Sequence, residues 1–350
     1  MALSKDNSAA PPKNLTQTYT PEQIRQRIDF YIECDETLLQ KSLIKLFDVF
    51  NNCKISVHIR SVKKDADITE IFKFTDFIRE NHQGNFIPTD IETDHAIDDS
   101  HFQHIFERRL VVRYPILLNA AFSVSDKALE NVAKLSKYGL FVIFNLYLEN
   151  SFEPSQIDDI VKKLMFINYA AGFSVYPASH SLHPKFYGTP IETTHWLEVL
   201  VDLYKNFPHH DVLFEPVNEI ANITSFGGWN TNLNIPRFIK ISVTSDGELR
   251  IFRQNPNKGV RWAKLSEISS LTHSQILTEF VKAVNGRPQL VDRVCSYFDI
   301  CRGVDDNCPI AGSGEITSLE CETRRFFIRA FSEQIRTIRE QNNHESAIKE

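Results

Sequence analysis

The chain has 350 residues, 42% of them hydrophobic and 24% charged, with a net charge of -6 and no low-complexity tract. That length allows one large domain with an appendage, or two domains. The acidic balance argues against a nucleic-acid binder, which needs a basic face to neutralise phosphates.

The opening residues, MALSKDNSAAPPKNLTQTYT, lack the apolar stretch of a signal peptide. No apolar run reaches the ~18–20 residues of a membrane span, and the closest, LFVIFNLYL, is strand-sized. A cytoplasmic protein without membrane contact is the expectation. In that compartment clustered cysteines are more often ligands or catalytic groups than disulfides.

Residues 1–18 are polar and proline-bearing and read as a disordered tail. Thr20 and Pro21 then supply an N-cap and a first-turn proline. PEQIRQRIDFYIECDETLLQKSLIKLFDVFNN has helical spacing, as one long helix or two short ones. Strands and helices alternate from there. ISVHI is a strand, DITEIFKFTDFIREN a helix, NFIPTDIET a strand, DDSHFQHIFER a helix and LVVRYPILL a strand. SDKALENVAKLSKYG is a helix capped by Ser125 and stopped by Gly139.

FVIFNLYLEN is the next strand, and SQIDDIVKKLMFINYAAG a helix with Ser155 and Asp158 in capping-box positions. Strand GFSVYPAS, helix TTHWLEVLVDLYKNF and strand DVLFEP complete the series. Six apolar strands separated by helices imply a parallel sheet buried on both faces, as an incomplete α/β barrel or an open sheet.

After residue 222 the rhythm changes. A boundary falls in NITSFGGWNTNLNIP, and RFIKISVTSDGELRIFRQN reads as a β-hairpin around Asp246-Gly247. KGVRWAKLSEISS reads as a loop, HSQILTEFVKAVN as a helix, and TRRFFIRAFSEQIRTIRE as a C-terminal amphipathic helix with a solvated arginine face. The domains are thus a tail at 1–18, a barrel with its N-terminal helices at 19–222, and a cysteine-bearing unit at 223–350.

Between the last two helices lie Cys295, Cys301, Cys308 and Cys321, spaced C-x5-C-x6-C-x12-C. Four thiolates close a tetrahedral zinc site or hold an iron–sulfur cluster. The loops are too wide for a zinc knuckle, and Gly303 and Pro309 suit the irregular backbone around a cluster. Four ordinary buried thiols is the alternative. Cys34 and Cys53 stand alone and read as small core side chains.

From about Leu110 to Cys321 the chain resembles the radical-SAM peptide maturases that carry a SPASM domain. ALENVAKLSKYGLFVIFNLYLENS is similar to their fourth helix and fifth strand, and GFSVYPAS with HWLEVLVDLY to the sixth strand and the helix leaving the barrel. KISVTSDGELRIFRQN resembles their "dG-x-v-x-p-C" hairpin, GVRWAKLSEI the turn after it, and CSYFDICRGVDDNCP their cysteine segment. The resemblance implies a partial (β/α)6 TIM-like radical-SAM barrel with a small SPASM-like cysteine domain. It implies one [4Fe–4S] cluster, or zinc instead, on Cys295, Cys301, Cys308 and Cys321.

The departures bear on activity. The family's C-x3-C-x2-C triplet is missing, and RSVKKDADI stands where a glycine-rich loop would receive the methionyl amine. Lys63 and Lys64 do not suit that ammonium group. The position of the family's first auxiliary-cluster cysteine falls near Phe252–Arg253, where this chain has no cysteine, so at most one auxiliary cluster is implied. A framework without the radical machinery resembles the pseudo-radical-SAM family of GG-Bacteroidales-type peptide-modification systems. That implies a non-catalytic accessory of peptide maturation, which binds a precursor peptide or a partner maturase and does not cleave S-adenosylmethionine.

Two other readings remain at this stage: an active radical-SAM/SPASM-type enzyme, or a barrel glycoside hydrolase. In the second, Glu219 of FEPVNEIANI is the acid/base, and Glu92, Asp94 or Glu149 the second carboxylate. His180, His183, Asp90 and His95 could form a metal site at the barrel mouth. Tyr176-Pro177, Asn145 and Asn119, at strand ends, are candidate pocket lining.

Overall fold

The computed structural model describes residues 27–34, 40–51, 53–61, 68–81, 86–94, 97, 99–121, 126–140, 142–156, 171–181, 184–206, 214–215, 217, 239–252, 256, 259–285, 323 and 325–333. Strand β1 (Arg27–Cys34) opens the described chain, followed by helix α1 (Gln40–Val49) and β2 (Lys54–Ser61). The strand corrects the helical expectation for this segment. Ile24, Ile28 and Ile32 do share a helical face, but Ile28, Phe30 and Ile32 also alternate with Asp29, Tyr31 and Glu33. Partner strands on both sides decide in favour of the period of two.

The expected alternation follows: α2 (Ile68–Asn81), β3 (Phe86–Glu92), α3 (Asp99–Glu107), β4 (Val111–Leu118), α4 (Asp126–Lys137), β5 (Val142–Leu148) and β6 (Ala171–Pro177). The helix expected between β5 and β6 lies outside the described residues. Helix α5 (Thr193–Asn206) leads to β7, a two-residue strand at Phe214–Glu215. Strands β1 to β7 pair in sequence order, all parallel. This is the α/β partial barrel, with the first strand supplied by the segment read as helix.

The hairpin is continuous with this sheet. Its first strand, β8 (Ile239–Val243), lies parallel on the other side of β1, so Ile28 pairs with both Ile55 and Ile239. Strand β9 (Glu248–Phe252) returns antiparallel through a turn in which Gly247 has φ 77°. Only glycine takes that backbone shape without strain. KGVRWAKLSEISS is not a loop: Val260–Lys264 forms β10, antiparallel to β9, and Leu265–Ile268 a helical turn, α6. The Glu267 carboxylate accepts the Lys264 backbone N–H at 2.9 Å, which starts that turn. Helix α7 (His273–Asn285) follows. The order across the ten strands is β10-β9-β8-β1-β2-β3-β4-β5-β6-β7.

Strand alternation gives this sheet two unlike faces. Ile28, Phe30, Ile32, Val57, Ile59, Val112, Phe144 and Ile241 are buried in one apolar core cluster with the helices. The opposite face carries Tyr31, His58, Arg60, Asp90, Glu92, Arg113, Asn145 and Ser174. There Asn145 on β5 bonds Glu92 on β3, and Arg113 on β4 bonds Ser174 on β6. Side chains that skip a whole strand meet directly only where the sheet curls around them, so this polar face is the concave one.

Candidate functional site: the barrel lumen

Asp90, near the end of β3, is the hub of the lumen. It is buried, and its two oxygens accept from three donors on two other strands. Arg60 NH1 donates at 2.8 Å, Arg113 Nε at 2.7 Å and His58 Nδ1–H at 2.7 Å. Burial alone would raise the Asp90 pKa; Arg113, His58 and Arg60 together outweigh it and hold the carboxyl well below the usual range. An ionised carboxylate can only accept, so His58 carries its proton on Nδ1. His58 Nε2 is buried and has no hydrogen-bond partner among the described residues.

Glu92, two residues on, accepts from Asn145 Nδ2 and from Tyr147 OH at 2.9 Å, with Arg60 Nε 3.8 Å away. Arg113 also reaches Asn145 Oδ1 at 3.3 Å and Ser174 Oγ at 3.1 Å. Tyr31 stacks on His58 with ring centroids 4.3 Å apart, and the Arg60 guanidinium carbon lies over the Tyr31 ring, 5.6 Å from its centre. Two arginines and two carboxylates balance each other, which is how charges persist inside a protein.

The segment after β6 roofs this end. Phe186 stacks on Tyr147, forming a small cluster with Ala178, Leu117 and Tyr176. Lys185 pairs with Asp94, and Gly188 N–H returns to Ala178 O at 3.2 Å.

Several residues anticipated from sequence therefore have defined places. Asp90, Glu92 and Asn145 come together in the lumen, but as members of an ion-pair network. Asn119, in the turn after β4, accepts from Ala121 N–H through Oδ1 at 3.1 Å. Tyr176 packs against Tyr147 at 5.8 Å. Among the described residues, no group of His, Cys, Asp and Glu is arranged to hold a metal ion. His58, Arg60, Arg113 and Tyr31 were not singled out from sequence. Their signal was a polar residue at every second place in IDFYIE and ISVHIRS, and a lone arginine in VVRYP.

Cys295, Cys301, Cys308, Cys321, Glu219, His95 and His183 lie outside the described residues. Cys53 is buried in the apolar core, as expected of a small core side chain. Among the described residues no helix is long and apolar enough to cross a membrane.

No family model and no curated protein matches the chain. Solved structures do. One described as anSMEcpe with bound AdoMet aligns at a TM-score of 0.60, covering 89% of this chain and 95% of that one at 12% identity. The same protein with bound AdoMet and the Cp18Cys peptide gives 0.53, over 89% and 98%, at 12% identity. SuiB from Streptococcus suis gives 0.50, over 79% and 72%, at 13% identity.

The fold is that of these solved structures, a radical-SAM-type barrel. In the radical-SAM barrels that the sequence resembles, the three cluster cysteines stand just after the first strand, and the position of β1 sets the place to count from. β1 ends at Cys34, and the triplet spacing counted from it falls on Leu38 and Lys41. Leucine has no lone pair to offer iron, and an ammonium group repels it. The donor set does not fit the cluster that would present S-adenosylmethionine.

Proposed function

We propose that this chain is a non-catalytic, pseudo-radical-SAM companion in the maturation of a ribosomally made peptide, binding the precursor peptide or a partner maturase. The observation that carries the reading is the sequence at and after the end of β1, where Cys34 alone stands in place of three cysteines. The fold of peptide-modifying enzymes supports the maturation context. The lumen supports a scaffold role: its charged side chains are bonded to one another, which rigidifies the barrel and leaves Asp90 and Glu92 engaged.

In this reading Cys295, Cys301, Cys308 and Cys321 hold one [4Fe–4S] cluster, with zinc as the alternative metal. The cluster would brace the C-terminal segment or relay electrons to a partner. Anaerobic reconstitution with iron and sulfide is expected to give absorbance near about 400 nm and roughly four irons per chain. Incubation with S-adenosylmethionine and dithionite is expected to yield no 5′-deoxyadenosine. Formation of that product would overturn the pseudoenzyme reading. Zinc in place of iron would remove the electron relay and leave the binding role standing.

A further inference from the structure

Two of the large apolar side chains exposed among the described residues lie at neighbouring helix ends. Phe106, at the end of α3, is 66% exposed, and Tyr138, just after α4, is 56% exposed. Phe102, one turn before Phe106, meets Tyr138 with ring centroids 4.7 Å apart. The two helix ends therefore lie side by side. Each is followed at once by a strand, so the patch sits where β4 and β5 begin, at the opposite end of the barrel from the roofed mouth.

The rings are accompanied by cations. Arg109, Lys134 and Lys137 are exposed, and none forms an ion pair or side-chain hydrogen bond with a described residue. Arg108 is different, since Asp76 binds it through two bonds of 2.6 Å each. Glu107, the acid at the end of α3, is engaged by Gln103 at 2.7 Å. The partial negative charge at the end of α4 offsets only part of the charge on Lys134 and Lys137.

The backbone of Arg109 adds an independent observation. Helices α3 and α4 end in the same hydrogen-bonded stop. Arg109 N–H reaches Phe106 O at 3.0 Å and Leu110 N–H reaches Ile105 O at 3.1 Å. Gly139 N–H reaches Ser136 O at 2.9 Å and Leu140 N–H reaches Leu135 O at 3.0 Å. Both stops need a left-handed residue, with φ 51° at Arg109 and 71° at Gly139. Glycine suits that shape and arginine does not, so the turn itself does not explain the arginine.

We infer that this aromatic and basic patch is a docking surface for an acidic peptide segment that carries a bulky apolar residue. Aromatic rings and arginine are the side chains that dominate binding energy at interfaces. The cations would meet carboxylates on the segment and speed its capture. The patch reverses the sign of a chain whose net charge is -6. Three cations are fewer than the cluster of basic residues an anionic membrane surface selects. The inference does not rest on the proposed function, because it concerns the other end of the barrel.

The test uses the full chain and short fluorescein-labelled peptides read by fluorescence anisotropy. The panel holds peptides rich in Asp and Glu with one Leu or Trp, all-polar acidic controls, and Lys-rich counterparts. The acidic, apolar-bearing peptides should bind best and weaken roughly tenfold as salt rises to physiological strength. Phe106→Ser and Tyr138→Ser should each weaken binding roughly fivefold or more. Arg109→Gly should weaken it by a similar factor while raising the thermal midpoint, so misfolding cannot account for the loss.

Several results would overturn the inference. These are no binding by any acidic peptide, equal binding of the Lys-rich set, or unchanged affinity in Arg109→Gly and Phe106→Ser. Preference for anionic vesicles would assign the patch to a lipid surface instead. Self-association of the chain that disappears in Phe106→Ser would assign it to a second copy.

Discussion

Arg113 holds four strands through one side chain: its own β4, Asp90 on β3, Asn145 on β5 and Ser174 on β6. Arg113→Met leaves the Asp90 charge short of a partner and is expected to cost about 3–5 kcal/mol in urea unfolding. The same network sets an acid limit. The Asp90 pKa is depressed in the folded chain, so its stabilisation is present above its ordinary value of 3.8 and fades as the pH falls below that. An Asp90→Asn chain should be less stable at neutral pH, with a shallower decline on acidification. Glu33 has the opposite sign: burial raises its pKa more than the Ser245 N–H at 2.7 Å lowers it. Glu33→Gln should therefore stabilise the protein at pH 7, with the gain vanishing below about pH 4.5, the ordinary carboxyl value. Arg113 was hidden because it sits in a strand that otherwise reads as an apolar run, and Arg60 because its alternation with Val57 and Ile59 is also that of a strand with one solvated face. Asp90 and Asn145 were visible as polar residues near strand ends, but their partners are set by the curl of the sheet. That curl is a property of ten strands, beyond what any single segment records.

Among elements, the helix stops compare one chemistry in two hands. Arg109→Gly is expected to raise stability by about 0.5–1 kcal/mol, since relief of the left-handed strain exceeds glycine's added chain entropy. Gly139→Ala is expected to lower it by about 1 kcal/mol. Thermal unfolding of both variants checks the pair. Gly139 was legible as a stop because glycine advertises the shape; Arg109 was not, because nothing in FERRL marks a positive φ. The same limit explains the two segments whose type was misread. β1 contains both a helical and a strand period, and β2 and β8 decide between them. β10 carries a register shift between Arg261 and Ala263, which breaks the alternation that would reveal a strand. The other described strands and long helices followed their sequence periods, because their apolar faces all meet one core.

At the scale of the whole molecule, the sheet crosses the boundary drawn from sequence near residue 222. β8 covers one edge of β1, and the C-terminal residues return to the barrel as well. Trp196 Nε1–H on α5 donates to Thr323 Oγ1 at 2.7 Å, and Phe327 and Phe331 pack on Tyr204 at 6.0 and 6.3 Å. A chain ending at residue 238 would present the bare edge of a buried apolar strand. Size-exclusion chromatography of that truncation should show aggregates, whereas an independent barrel domain would elute as a monomer. The double pairing of β1 also has a consequence in time. Ile28 leaves the ribosome about 210 residues before its partner Ile239. At synthesis rates of about 5–20 residues per second, β1 waits roughly 10–40 s with one side open. The nascent barrel thus keeps an unpaired strand edge until its distant partner emerges, and completion of the sheet waits on translation itself.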